Sequence, residues 1–139
     1  MQFLREKLTD KELISFYKKL MLPRLIEEKM LILLRQGKIS KWFSGMGQEG
    51  ISVGSTLAME KDEFILPMHR NLGVFSTREI PLYNLFCQFQ GKKDGFTKGR
   101  DRSFHFGTKV HHIVGMISHL GPQLGIADGI ALAQKLENS

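Results

Sequence analysis

The chain has 139 residues, 42% of them apolar, with 20 Lys and Arg against 14 Asp and Glu for a formal charge of +6. That length fits one domain, the apolar share excludes a disordered chain, and the positive balance suits anionic partners. A lone Cys87 excludes an internal disulfide, the N-terminus carries no signal-like apolar run, and the longest aliphatic run, residues 30–34, falls far short of the ~20 needed to cross a bilayer, so a cytoplasmic protein without a membrane partner is expected.

Residues 1–8 have no periodicity and read as a flexible N-terminus. Thr9 and Glu12 form a capping-box pattern that opens a helix. Leu13, Phe16, Leu20, Ile26, Met30 and Leu33 then mark one helical face, and Gly37 closes the element. Pro23 interrupts it, which predicts a kink or break near Leu22. After a polar loop, residues 48–59 read as a second helix, with small Ser and Gly residues that allow close packing. Residues 64–66 are a short strand candidate stopped by Pro67, residues 71–77 can be helical, and 81–90 form a helix with Pro at its start and Gly91 past its end. Residues 91–109 are rich in Gly, Lys and Arg and read as a loop. A strand is expected over 113–117 and a final helix over 123–136.

Gly45-x-Gly47-x-x-Gly50 matches a dinucleotide-binding pattern, but that mechanism needs a preceding strand. Here a helix end and a polar loop precede it, so a turn and close helix packing explain the glycines more simply. Past them, His69-Arg70 follows a short apolar run. Bare glycine backbone beside a fixed guanidinium is one way to hold an anionic, often phosphorylated, ligand. The five histidines have no accompanying cysteine pair or HExxH spacing, and hydrogen-bonded or exposed histidines are the simpler account. Lys92, Lys93, Lys98, Arg100 and Arg102, with Phe96 and Phe104 nearby, have the charge and rings of a nucleic-acid contact loop. Asp94 and Asp101 interrupt it, so a solvated loop is preferred and nucleic acid is a disfavoured partner. Cys87 lies in an apolar helical segment and reads as a core thiol.

Several landmarks run in a definite order: Glu27-Glu28-Lys29; Arg35-Gln36-Gly37-Lys38-Ile39; Gly47-Gln48-Glu49-Gly50 with Val53-Gly54; Leu66-Pro67-Met68-His69-Arg70; Lys98-Gly99-Arg100 leading to His105; and Ser118-x-Leu120-Gly121-Pro122-Gln123 before an Ala- and Gly-rich helix. In this order and spacing the chain, from about Leu8 onward, resembles the N-terminal half of the alpha subunit of thiamine-diphosphate-dependent 2-oxo acid dehydrogenases, the decarboxylating first component of those complexes.

The resemblance implies an α/β fold class: the N-terminal part of a thiamine-diphosphate-binding fold, mostly helical with one or two short parallel-sheet strands, as a single incomplete domain over 1–139. It implies that Arg70 holds the cofactor diphosphate, with His69 standing where the family usually has tyrosine. The backbone at Ser118 and Leu120 would receive the aminopyrimidine ring. Of the positions around the potassium ion of branched-chain members, only Gln123 matches. Phe43, apolar where pyruvate-type relatives have histidine, and the segment 104–112 lean towards the branched-chain type and an aliphatic 2-oxo acid substrate. The implied activity is oxidative decarboxylation of a 2-oxo acid with transfer of the acyl group to lipoyl. The implied partners are a beta subunit or fused beta half, which supplies the activating glutamate, and a lipoyl-bearing acyltransferase, in a heterotetramer or dimer. Glu49 is read as structural, paired with a basic residue. The magnesium ligands are expected downstream of Ser139, so this chain alone is expected to be inactive, and uncovered apolar helix faces would favour instability or self-association. A non-catalytic subunit-assembly module and a basic nucleic-acid-binding domain are the alternatives.

Overall fold

The computed structural model describes residues 7–115 and 121–137. Five helices carry the described chain: α1 (Asp10–Arg35), α2 (Glu49–Ala58), α3 (Leu72–Thr77), α4 (Leu82–Phe89) and α5 (Pro122–Leu136), with a 3-10 turn at Lys109–His111. The start of α1 is fixed as its sequence requires. The Thr9 hydroxyl accepts from the Glu12 N–H at 3.3 Å, and the Thr9 N–H donates to the Glu12 carboxylate at 2.8 Å. Its end is closed at Gly37, whose φ of +68° only glycine adopts cheaply; the Lys38 N–H then reaches back to the Leu33 carbonyl at 2.9 Å.

Between those ends α1 runs unbroken through Pro23, contrary to the kink or break expected near Leu22. The local penalty is real, but the Pro23 ring is fully buried and α1 packs along α2 and α3. Tertiary packing, not intrinsic propensity, supplies most of a helix's stability. The buried face is Pro23, Ile26, Glu27, Met30 and Leu33, all in the second half. Of the earlier apolar positions, Leu13 and Leu20 are half-buried and Phe16 is exposed.

The core gathers Ile26, Met30, Leu33, Ile39 and Trp42 against Leu72, Val74, Phe75 and Ile80, with Leu85 and Phe89 from α4. The loop after α4 contributes Phe104 and Phe106. Rings link these parts continuously: Trp42 to Phe89 at 4.9 Å and Phe104 at 5.1 Å, Phe75 to Phe106 at 5.1 Å, and Phe96 stacked on Phe106 at 4.5 Å. The aromatic residues of the basic loop therefore serve the core. They are withdrawn from the stacking role that a nucleic-acid surface would need.

The expected strands at 64–66 and 113–117 are not formed among the described residues. What remains is one parallel bridge, Ile65 to Ile113, closed by the Ile65 N–H on the His112 carbonyl at 2.9 Å and the Val114 N–H on the Ile65 carbonyl at 3.0 Å. Pro67 removes a ladder donor on one side, and left-handed His112 (φ 51°) turns the chain just before Ile113 on the other. The direction of pairing matches a parallel sheet; its extent does not. The described fold is thus mostly helical, as expected, and only the short strands are missing among the described residues.

Candidate functional site

A cleft of about 820 Å³ opens between the segment after α1, the end of α4 and the basic loop. Lys38, Lys41, Arg100 and Arg102 line it against one carboxylate, Asp101, so its field is positive. Phe43 and His69 form an inner wall, their rings meeting edge to face at 5.0 Å, with the Lys41 ammonium 4.7 Å over the Phe43 ring. Burial, then the Arg70 charge, then His105, hold the His69 imidazole below its ordinary pKa of 6.5. At neutral pH His69 is therefore an uncharged ring that can accept one hydrogen bond and donate another.

His69 and Arg70 sit on a turn locked at both ends. The Met68 N–H donates to the Asn71 side-chain oxygen at 2.8 Å, and the Asn71 N–H returns to the Met68 carbonyl at 3.0 Å. Asn at this place supplies the acceptor that closes the turn before α3. The Arg70 carbonyl lies against Gly45, where a β-carbon would overlap it. The glycine motif and the His-Arg pair, 24 residues apart in the sequence, thus form one contact. The turn places His69 in the cleft; the Arg70 side chain is exposed beside it and is not among the cleft-lining groups.

Around this turn the polar groups are accounted for by helices. Glu27 accepts from the Trp42 indole N–H at 2.6 Å and from the Gly45 N–H at 2.8 Å. Glu49 accepts from Arg24 at 2.6 Å and from the Gly47 N–H at 2.8 Å. The Arg24 bond is the main reason the Glu49 carboxyl titrates below its ordinary 4.5. The structural pairing expected for Glu49 is thus present. Gln88, fully buried, holds the opposite side: its amide donates to the Arg102 carbonyl at 3.1 Å and its oxygen accepts from the Thr97 N–H at 2.9 Å. The loop that read as solvated and irregular is anchored.

Ser118 and Leu120 lie outside the described residues, so the meeting of that turn with His69-Arg70 is not part of the described geometry. Gln123 stands in the first turn of α5, half-buried. Among the described residues no three His, Cys, Asp or Glu side chains gather as a metal group. The His111 ring is bonded to the Thr108 hydroxyl at 2.9 Å, and His112 packs on Phe64. Cys87 is buried, and among the described residues no helix is long and apolar enough to cross a membrane. The sequence reading missed Glu27 and Gln88 as organising residues. One signal was available for Glu27: it falls in phase with Pro23, Ile26 and Met30 on the stripe that α1 buries.

Comparison with known proteins follows the same lines. A family model described as Dehydrogenase E1 component matches residues 17–139. The chain is 32% identical over 132 residues to the 2-oxoisovalerate dehydrogenase subunit alpha, mitochondrial, of Mus musculus, covering 95% of this chain and 30% of that protein. It is 36% identical over 132 residues to the 2-oxoisovalerate dehydrogenase subunit alpha of Bacillus subtilis (strain 168), covering 94% of this chain and 40% of that protein. A similar protein of Caenorhabditis elegans is 34% identical over 122 residues, with 88% and 28% covered. The chain thus spans 28–40% of the length of these relatives.

Proposed function

Since the chain belongs to the dehydrogenase E1 component family, we propose that it serves the thiamine-diphosphate-dependent oxidative decarboxylation of a 2-oxo acid with a branched aliphatic chain. The relatives named above are 2-oxoisovalerate dehydrogenase alpha subunits, which supports that substrate class. The observation that carries the reading is the locked turn between Met68 and Asn71, which aims His69 into a cationic cleft and holds Arg70 at its side. When bound, thiamine diphosphate supplies the carbanion chemistry by which the acid loses carbon dioxide and its acyl group passes to lipoyl.

This chain's own residues bind and orient. Arg70 offers a planar fork of donors suited to a diphosphate, on a backbone that cannot drift because Gly45 lies against its carbonyl. Neutral His69 and the Phe43 ring wall the cleft where an uncharged acyl chain would sit, and Lys38, Lys41, Arg100 and Arg102 draw anions towards it. Magnesium would be held by residues other than the described ones, and a beta subunit or fused beta half and a lipoyl-bearing acyltransferase would complete the reaction. Titrating thiamine diphosphate with magnesium into the assembled enzyme tests the assignment. Arg70→Ala should weaken binding by about tenfold or more, the worth of a charge-assisted hydrogen bond; unchanged affinity overturns it.

An assembly role without catalysis is favoured by one feature. α5 buries none of its residues and exposes Leu124, Leu132 and Leu136. A chain whose cofactor affinity is nil in every assembly, but whose association with a partner is lost on Leu132→Lys, would serve assembly alone.

A further inference from the structure

Glu27 is an ionisable side chain only 1% exposed, on the face that α1 turns to the core. An apolar residue there would extend the stripe of Ile26 and Met30 and would avoid the desolvation of a carboxylate. What the carboxylate does is hold two donors in fixed directions. One oxygen takes the Trp42 indole N–H at 2.6 Å, and the other takes the Gly45 N–H at 2.8 Å. Gly45 in turn lies under the Arg70 carbonyl with no room for a side chain between them. One helical turn earlier Arg24 grips Glu49, whose second oxygen takes the Gly47 N–H at 2.8 Å. Helix α1 therefore fixes both glycines of the loop, each through a carboxylate, and the first of them is the surface on which Arg70 rests.

We propose that Glu27 is the positioning residue for Arg70, setting through Gly45 where the His69-Arg70 turn stands. This rests on the reading of Arg70 as the side chain that holds a diphosphate. Glu27 itself touches no ligand. Its effect travels through one short hydrogen bond and one backbone approach that leaves no room for a side chain. A neutral amide of the same shape can accept at one end only, so either the indole or the glycine N–H is left without its partner.

The test compares the 15N-labelled chain with its Glu27→Gln and Leu33→Ala variants. Leu33 is buried on the same helix and its side chain takes no part in the bonds of Glu27 to Trp42 and Gly45, so its truncation lowers stability while leaving both bonds in place. Glu27→Gln should shift the Gly45 amide and Trp42 indole signals and, with them, the amides of residues 68–71. It should also weaken binding of inorganic pyrophosphate by about tenfold, as displaced binding groups do. Leu33→Ala should leave those four amides and the affinity unchanged. The proposal falls if the Gly45 and Trp42 signals move while residues 68–71 stay, or if Leu33→Ala weakens pyrophosphate as much as Glu27→Gln. Should Glu27→Gln fail to fold, Trp42→Phe, which removes one donor and keeps the carboxylate, should shift the same turn by less; no shift overturns the proposal. Unchanged pyrophosphate affinity in Arg70→Ala overturns the diphosphate reading of the arginine. A turn that still follows Glu27 then supports the positioning role independently of that ligand.

Discussion

The two longest helices use similar materials to opposite ends. Helix α1 buries Pro23, Ile26, Glu27, Met30 and Leu33, and through Glu27 it bonds the loop that follows it. Helix α5 has leucines, alanines and glycines in good supply, yet none of its residues is buried, and Leu124 and Leu136 are each more than 70% exposed. Whether an apolar face becomes core depends on having a surface to meet, and α1 has two, α2 and α3.

If that contrast is right, substitutions in the two helices should diverge. Met30→Ala, at a site with no exposure, should cost about 2–5 kcal/mol in the urea unfolding midpoint through lost burial and the cavity left behind. Gly45→Ala forces a methyl group into the Arg70 carbonyl and should cost about 1–3 kcal/mol, the range for overpacking. Gly129→Ala in α5 meets nothing within 4 Å and should instead stabilise the chain by about 0.5–1 kcal/mol from helix propensity. Leu132→Ala should leave stability within about 0.5 kcal/mol while lowering any self-association seen by sedimentation. A large loss from Leu132→Ala in the monomer would break the comparison, because it would mean that α5 is packed after all.

Acid sensitivity sharpens the same contrast, because the perturbed groups lie around α1 and its loop. The folded state disfavours protonated His69, so stability should fall as pH drops below about 6.5 towards the folded pKa. His69→Gln should flatten that limb. The depressed Glu49 carboxyl contributes stability that is present above 4.5 and lost as pH falls through its folded value, and Arg24→Ala should remove this second limb. Thermal melts across pH 3–8 read both limbs.

Much of the helical layout was legible in the chain. The Thr9 capping box, the closing Gly37, and the limits of α2, α3 and α4 within a residue or two all follow from local chemistry, which acts between neighbours in sequence. The His69-Arg70 pair was legible as an anion-holding candidate for the same reason: its residue types state their chemistry without help. Three readings failed, two of them to distant partners and one to residues next to the segments themselves. Pro23 breaks an isolated helix, but a buried face carries α1 through it. The 64–66 and 113–117 segments have strand composition, but among the described residues they meet only at the isolated Ile65–Ile113 bridge, with Thr108 bridged to Ile113 beside it. The rings of the basic loop look available for stacking, but Phe75 and Trp42 claim them.

The sequence by itself determined where most of the helices start and stop, and the family to which the ordered landmarks point. Only the tertiary structure decided that Gly45 lies against the Arg70 carbonyl, that Glu27 takes the Gly45 N–H, and that His69 faces the cleft while the Arg70 side chain stands beside it. The reason is physical. Capping, turn chemistry and charge type are properties of a few adjacent residues, whereas a buried carboxylate is recognisable only by the two donors that folding brings to it from 15 and 18 residues away.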